Sequence, residues 1–326
     1  SLVGSEMCIR DRYNILSGII RSVGDSKTPL YFLLISSVLN IGLDLFMIIV
    51  LDMGVMGASW ATVISQLVSG VLCLIYMIKK FDILHLSREE MQFNPFYISR
   101  LCGVGIPMGL QYSITAIGSI LIQTAVNGLG STYVAAVTAA TKVSQLLCCP
   151  IDAMGSTMAT YGGQNVGAGK IKRVGRGLFD CSCLGVGYSI VAFLIILFLG
   201  RTISMLFVND ANAGSVEEIL ALSQQFLVYN GAFYILLAFV NIVRFLIQGM
   251  GFSQIAIFSG VFEMIARGVV ALAMVPTLGF NAVCFANPAA WLLADCFLFP
   301  LFFWSYNKLK KKFGVKDAEK EVVKEA

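Results

Sequence analysis

Charge is scarce in this sequence. Only 13% of its 326 residues are Asp, Glu, Lys or Arg, about half the share of a soluble domain, which excludes an ordinary water-soluble globule. Histidine is nearly absent too. His85 is the only one and it falls in a loop, so neither a zinc site nor an intramembrane histidine relay is expected. None of the nine cysteines forms a CxxC pair. Most lie in apolar runs, where cysteine serves as a small packing residue. The alternating segments of about ten residues that mark barrel strands are missing. So are paired catalytic carboxylates and nucleophile–base spacings. No enzyme activity and no cofactor are expected. The net charge of +4 is spread over loops and a tail, so no nucleic-acid partner is expected either.

What fills the chain is apolar sequence: 57% of residues are hydrophobic and the mean hydropathy is +0.81. Repeated runs of about 20 apolar residues predict a polytopic all-α membrane protein. Eight full spans can be drawn, over 30–51, 56–78, 101–126, 133–159, 178–199, 220–248, 255–276 and 282–306. Residues 13–22 read as the end of a ninth helix. Residues 1–12, "SLVGSEMCIRDR", do not continue the pattern that follows and are set aside as a non-native leader.

The basic residues fall on one set of loops. Arg21 and Lys27, then Lys79, Lys80, Arg88 and Arg100, then Lys170, Lys172, Arg173 and Arg176, and finally Lys308 to Lys312 alternate with loops that hold only Arg201. The positive-inside rule places the basic set in the cytoplasm, with the charged tail at 307–326. A multi-pass protein of the plasma membrane, in a lipid bilayer, with a cytoplasmic C-terminus is expected.

An internal repeat is visible. "GIIRSVGDS" from Gly18 aligns with "FLIQGMGFS" from Phe245, and "GVMGASWAT" from Gly54 with "GFNAVCFAN" from Gly279, both at an offset of about 225 residues. Two halves in the same orientation are a transporter arrangement. The offset implies a chain lacking on the order of 125 N-terminal residues, room for four helices of about 20 apolar residues and their loops. The expected fold is two pseudo-symmetric helical lobes of a twelve-helix transporter, with eight complete helices present. Residues 13–80 would be the rest of the N-lobe, 81–100 a cytoplasmic linker and 101–306 the C-lobe.

Polar residues inside these spans are the candidate site. Asn40 and Asp44 are i,i+4 and share a helix face. Asp44 lies roughly 10 Å and Thr62, on the next helix, about 8 Å from the outer end. An ionised carboxylate costs at least about 2.5 kcal/mol in hydrocarbon. Asp44 is therefore expected to bind a cation such as Na⁺, to carry a proton, or to serve as an interhelical hydrogen-bond staple. Glu263 and Arg267 form another i,i+4 pair, in the favoured order for mutual neutralisation. Gln111 follows the helix-bending "GVGIPMGL", and Lys142 stands mid-span; these four are the candidate substrate-cavity residues. "GGQNVGAGK" mimics a phosphate loop, but Gln164 stands where the motif needs glycine and Ile171 where it needs Ser or Thr, so it reads as a tight turn.

In combination, "GIIRSVGDSKTP", "NIGLD", "GVMGASWAT" and "TYGGQNVGAGKIKR" resemble the multidrug and toxic compound extrusion (MATE) family, from about Tyr13 to Tyr306. The resemblance implies two six-helix lobes that exchange a cationic, amphipathic small molecule for H⁺ or Na⁺ by alternating access. It also implies an N-lobe cation site carried onto Asn40, Asp44 and Thr62, normally completed by an acid on the first helix. A monomer is expected. A lipid-linked saccharide flippase is the alternative, with Arg267 and Lys142 facing lipid phosphate; a membrane scaffold or receptor would show no such repeat.

Overall fold

The computed structural model describes residues 2–81, 94–208 and 216–314. His85 and most of the expected linker and tail lie outside them. Among the described residues the fold is helical throughout, without strands. Seven helices are long and apolar enough to cross a membrane, or eight when a bent pair is counted as one span.

The contacts divide the chain into two compact units, 1–94 and 95–326. In the first unit α1 (Leu2–Ser22), α2 (Lys27–Leu45) and α3 (Gly54–Lys80) follow one another, with a π-helical turn, Phe46–Val50, ending α2. Helix α1 begins at Leu2, so the residues set aside as a leader are helical and continuous with Tyr13. Tyr13, Ile20, Cys73 and Met77 form the small core where α1 packs on α3.

The second unit holds α4 (Pro95–Leu129), α5 (Ser131–Gly167), α6 (Ile171–Met205), α7 (Val216–Ala232), α8 (Tyr234–Gly249), α9 (Ser253–Val269), α10 (Val275–Leu278) and α11 (Phe280–Lys312). A π-helical turn, Val270–Met274, separates α9 from α10. Helix α4 starts at Pro95, where proline's fixed φ suits a first turn; six residues expected in the linker thus belong to the first turns of a helix. Each expected span lies within these helices or helix pairs and their π-helical turns, except that Leu51 falls just past the first, because each helix needs a run of about 20 apolar residues to cross.

One expected span is not a single rod. Helices α7 and α8 meet at a 52° bend. No proline causes it. Asn230 stands beside it: its Nδ2 donates to the Phe226 carbonyl at 2.8 Å and its Oδ1 accepts from Asn287 Nδ2 of α11 at 3.0 Å.

The repeat is legible in the backbone. Gly24 and Gly251, equivalent in the aligned motifs, both adopt positive φ, +104° and +93°, at the turn between two helices. Gly54 and Gly279, equivalent in the second motif, do the same at +52° and +58° as the next helix starts. Glycine alone enters this region without penalty. The two π-helical turns, at 46–50 and 270–274, precede those glycines in both units.

Candidate functional site

In the first unit, two contacts fix how α2 lies against α3. Ser36 Oγ donates to the Ser65 carbonyl at 2.8 Å, and Ser69 Oγ to the Phe32 carbonyl at 3.4 Å. Ser36, Asn40 and Asp44 follow at i,i+4 spacing, so they form one stripe. By that antiparallel register Asn40 stands level with Ala61 and Asp44 with Gly57, both small and buried residues. Asn40 Nδ2 and Asp44 Oδ1 are covered and without hydrogen-bond partners. Thr62 stands apart. It is exposed, its hydroxyl donates back to the Ala58 carbonyl at 3.0 Å, and the register sets it roughly 7 Å along the axis from Asp44. The expectation from loop ends alone put Thr62 and Asp44 at one depth; the Ser36 and Ser69 contacts are what shift them.

The second unit gathers charge far more densely. Gly118 and Gly260 let α4 and α9 approach closely. A Cβ on Gly118 would stand 3.1 Å from Met264 Cα, and one on Gly260 would stand 3.0 Å from Gln111 Cγ. Small residues at such crossings are the usual way membrane helices pack. The approach brings Gln111, Tyr112 and Thr115 of α4 to Glu263 and Arg267 of α9. Asp152 of α5, Asn241 and Arg244 of α8 and Trp291 of α11 complete a pocket of about 190 Å³.

Glu263 is its hub. Its side chain is 4% exposed; Arg244 Nη1 donates to Oε1 at 2.9 Å and Arg267 Nη2 lies 3.5 Å from Oε2. Arg244 Nη2 also donates to Asn241 Oδ1 at 2.7 Å, and Asn241 Nδ2 donates to Asp152 Oδ1 at 3.0 Å. Arg267 Nη1 reaches the Thr115 carbonyl at 3.4 Å. The Gln111 and Gln248 amides meet at 2.7 Å. With its amide turned over, the Gln111 oxygen lies 3.2 Å from Arg244 Nη1 and Nε. Asp295 of α11, one turn beyond Trp291, is 4% exposed, and both of its oxygens are covered and unpartnered.

Of the four expected cavity residues, Gln111, Glu263 and Arg267 thus line one pocket. Lys142 does not join them. It is exposed, with its Nζ 5.8 Å from the Phe207 ring centre. Sequence reasoning missed Arg244, whose only signal was a lone arginine in "VNIVRFLIQG". Among the described residues there is no group of three or more His, Cys, Asp or Glu suited to a metal ion.

Comparison with known proteins agrees with this architecture. The chain is 29% identical over 242 residues to the probable multidrug resistance protein YpnP of Bacillus subtilis, covering 73% of this chain and 51% of that protein. It is 24% identical over 249 residues to the multidrug export protein MepA of Staphylococcus saprophyticus, covering 76% of this chain and 54% of that one. The chain therefore spans about half the length of these curated relatives. A crystal structure of MATE in the bent conformation superposes with a TM-score of 0.83 at 19% identity, over 96% of this chain and 69% of that one. An outward-facing multidrug resistance MATE family transporter of the MOP superfamily gives 0.82 at 20% identity, over 92% and 66%. These superpositions speak to the fold. The MatE family model matches residues 107–273, slightly more than half of the sequence and the stretch that carries Gln111, Asp152, Arg244, Glu263 and Arg267: the chain belongs to the MatE family.

Proposed function

We propose that the protein works in secondary active efflux, exporting cationic or amphipathic small molecules in exchange for H⁺ or Na⁺ by alternating access. The observation that carries this reading is the pocket of the second unit, which Asp152 and Glu263 line together with Tyr112 and Trp291. Carboxylates beside aromatic faces are what a bulky organic cation needs, and intramembrane acids mark substrate and ion paths. The relatives are described as multidrug resistance and export proteins, in keeping with a small-molecule substrate. On the ion side, Asp44 beside Asn40 takes up H⁺ or Na⁺, and its neutralisation biases the exchange.

Basic loops and the charged tail face the cytoplasm in this reading, residues 101–306 act as the C-lobe, and the protein acts as a monomer in the plasma membrane. The flippase alternative asked for a basic cavity shared by Arg267 and Lys142. The ion pair of Arg267 with Glu263 and the exposed position of Lys142 weigh against it.

The test is gradient-driven extrusion of a cationic dye from membrane vesicles holding the protein, under imposed proton and sodium gradients. Asp44→Asn is expected to abolish the dependence on the coupling gradient. Transport that keeps its gradient dependence in Asp44→Asn removes Asp44 from the mechanism; absence of gradient-driven flux in the unaltered protein overturns the efflux reading.

A further inference from the structure

Four ionisable side chains line the pocket of the second unit, Asp152 and Glu263 with Arg244 and Arg267, and a fifth, Asp295, lies buried one turn along α11 from the pocket residue Trp291. Their charges do not balance. Fully ionised, the cluster holds one negative charge more than positive, within helices that span the membrane. An uncompensated carboxylate at that depth costs at least about 2.5 kcal/mol. The hydrogen bonds decide which acid is left over. Glu263 meets both guanidiniums, at 2.9 Å and 3.5 Å. Asp152 accepts from Asn241 at 3.0 Å, which in turn accepts from Arg244 at 2.7 Å. Asp295 is 4% exposed and neither of its oxygens has a partner.

We propose that this cluster carries one exchangeable proton and that Asp295 is its seat. The charged neighbours that act on Asp295 are Glu263 from α9 and Arg244 from α8, with Arg267 beyond Glu263. Asp152 of α5 and Tyr112 of α4 face the same pocket, and Tyr234 of α8 sets its ring 6.2 Å from that of Trp291. On α7, Tyr229 packs its ring on Phe285, 4.8 Å between centres, about 15 Å along α11 from Asp295. On α6, Tyr188 donates to the Leu147 carbonyl at 2.8 Å. The π-helical turn and α10 bring no ionisable side chain.

The assignment has a consequence for exchange, which rests on the efflux reading above. A monovalent organic cation entering beside Asp152 and Glu263 supplies the missing positive charge. The O–H bond of Asp295 then breaks, the electron pair stays on the carboxylate, and the proton leaves to water. One proton is released for each monovalent cation bound, a step that works in series with ion uptake at Asp44.

Trp291 lines the pocket one turn before Asp295, so its fluorescence reads the titration directly. The protein carries Trp60→Phe and Trp304→Phe, leaving Trp291 alone, and is placed in lipid nanodiscs. Its emission is followed from about pH 5 to pH 9, a range in which perturbed carboxylates titrate. One transition is expected. It disappears in Asp295→Asn, and it moves to more acidic pH by about one unit in Glu263→Gln, which removes the excess negative charge. Added tetraphenylphosphonium moves the transition of the parent in the same direction. A transition that persists unchanged in Asp295→Asn, or that sodium reproduces at fixed pH, overturns the proposal. If Asp295→Asn does not fold, Glu263→Gln decides, and an unmoved transition there overturns it. A transition unmoved by tetraphenylphosphonium overturns the exchange step. The titration needs no gradient, so a vesicle experiment without flux would remove the efflux reading and leave the proton seat standing.

Discussion

Gly249, the last residue of α8, lies against the backbone of Ala159 so closely that a Cβ at Gly249 would stand 2.2 Å from the Ala159 carbonyl oxygen. The obstacle is main chain, which cannot swing aside as a side chain can. Gly249→Ala is therefore expected to push α8 off α5 and to cost about 1–3 kcal/mol or more. Gly163→Ala, across the same crossing, places its Cβ an ordinary 3.4 Å from the Gly249 oxygen and is expected to change little. Thermal unfolding of the two variants in detergent checks the contrast.

Arg244 is the shorter of the two arms on Glu263, 2.9 Å against 3.5 Å for Arg267. Removing Arg244 leaves Glu263 with Arg267 alone, at 3.5 Å, so Arg244→Met is expected to destabilise the second unit by part of the roughly 3–5 kcal/mol that breaking a buried pair costs. Arg244→Lys keeps the positive charge and is expected to lose less. Unfolding of the two variants measures the difference; equal losses would show that Arg244 acts through packing instead.

Asp25 opens α2. Its Oδ2 accepts from the Tyr76 hydroxyl at 2.6 Å, and that bond is the main cause holding its carboxyl well below the usual carboxylate range. Partial burial opposes the shift, while the Thr28 amide at 3.1 Å, the Thr28 hydroxyl at 2.9 Å and Lys80 Nζ at 3.3 Å support it. A carboxyl lowered on folding stabilises the fold fully above its unfolded value, near pH 4, and loses that contribution as pH falls through the folded value. Asp25→Asn is expected to lower the melting temperature by the same amount from about pH 8 to pH 5, with the gap closing below about pH 4. A gap that widens on acidification would contradict the sign.

Much of the fold was legible because hydrocarbon is a demanding solvent: every span had to be written as a long apolar run. The repeat was legible because Gly24, Gly54, Gly251 and Gly279 sit where the backbone needs positive φ. The bend at Asn230 was not, since an asparagine amide bridging to Asn287 leaves no proline as a marker. In the candidate site, spacing showed Glu263 and Arg267 because they are neighbours on one helix. It could not show Arg244, 19 residues earlier, whose bond to Glu263 depends on how α8 meets α9. Lys142 was drawn in as a lone cation mid-span, but helix rotation turns it toward Phe207. Thr62 was placed by counting from the loops, whereas the Ser36 and Ser69 hydroxyls set the true register.

A proline bend is permanent, because no rotation restores the missing donor. The corner between α7 and α8 lacks that fixture: no proline stands at it, and the Asn287 amide on Asn230 Oδ1 ties its first arm to α11. Its second arm carries Asn241 and Arg244, so the direction that arm takes also aims the guanidinium that grips Glu263.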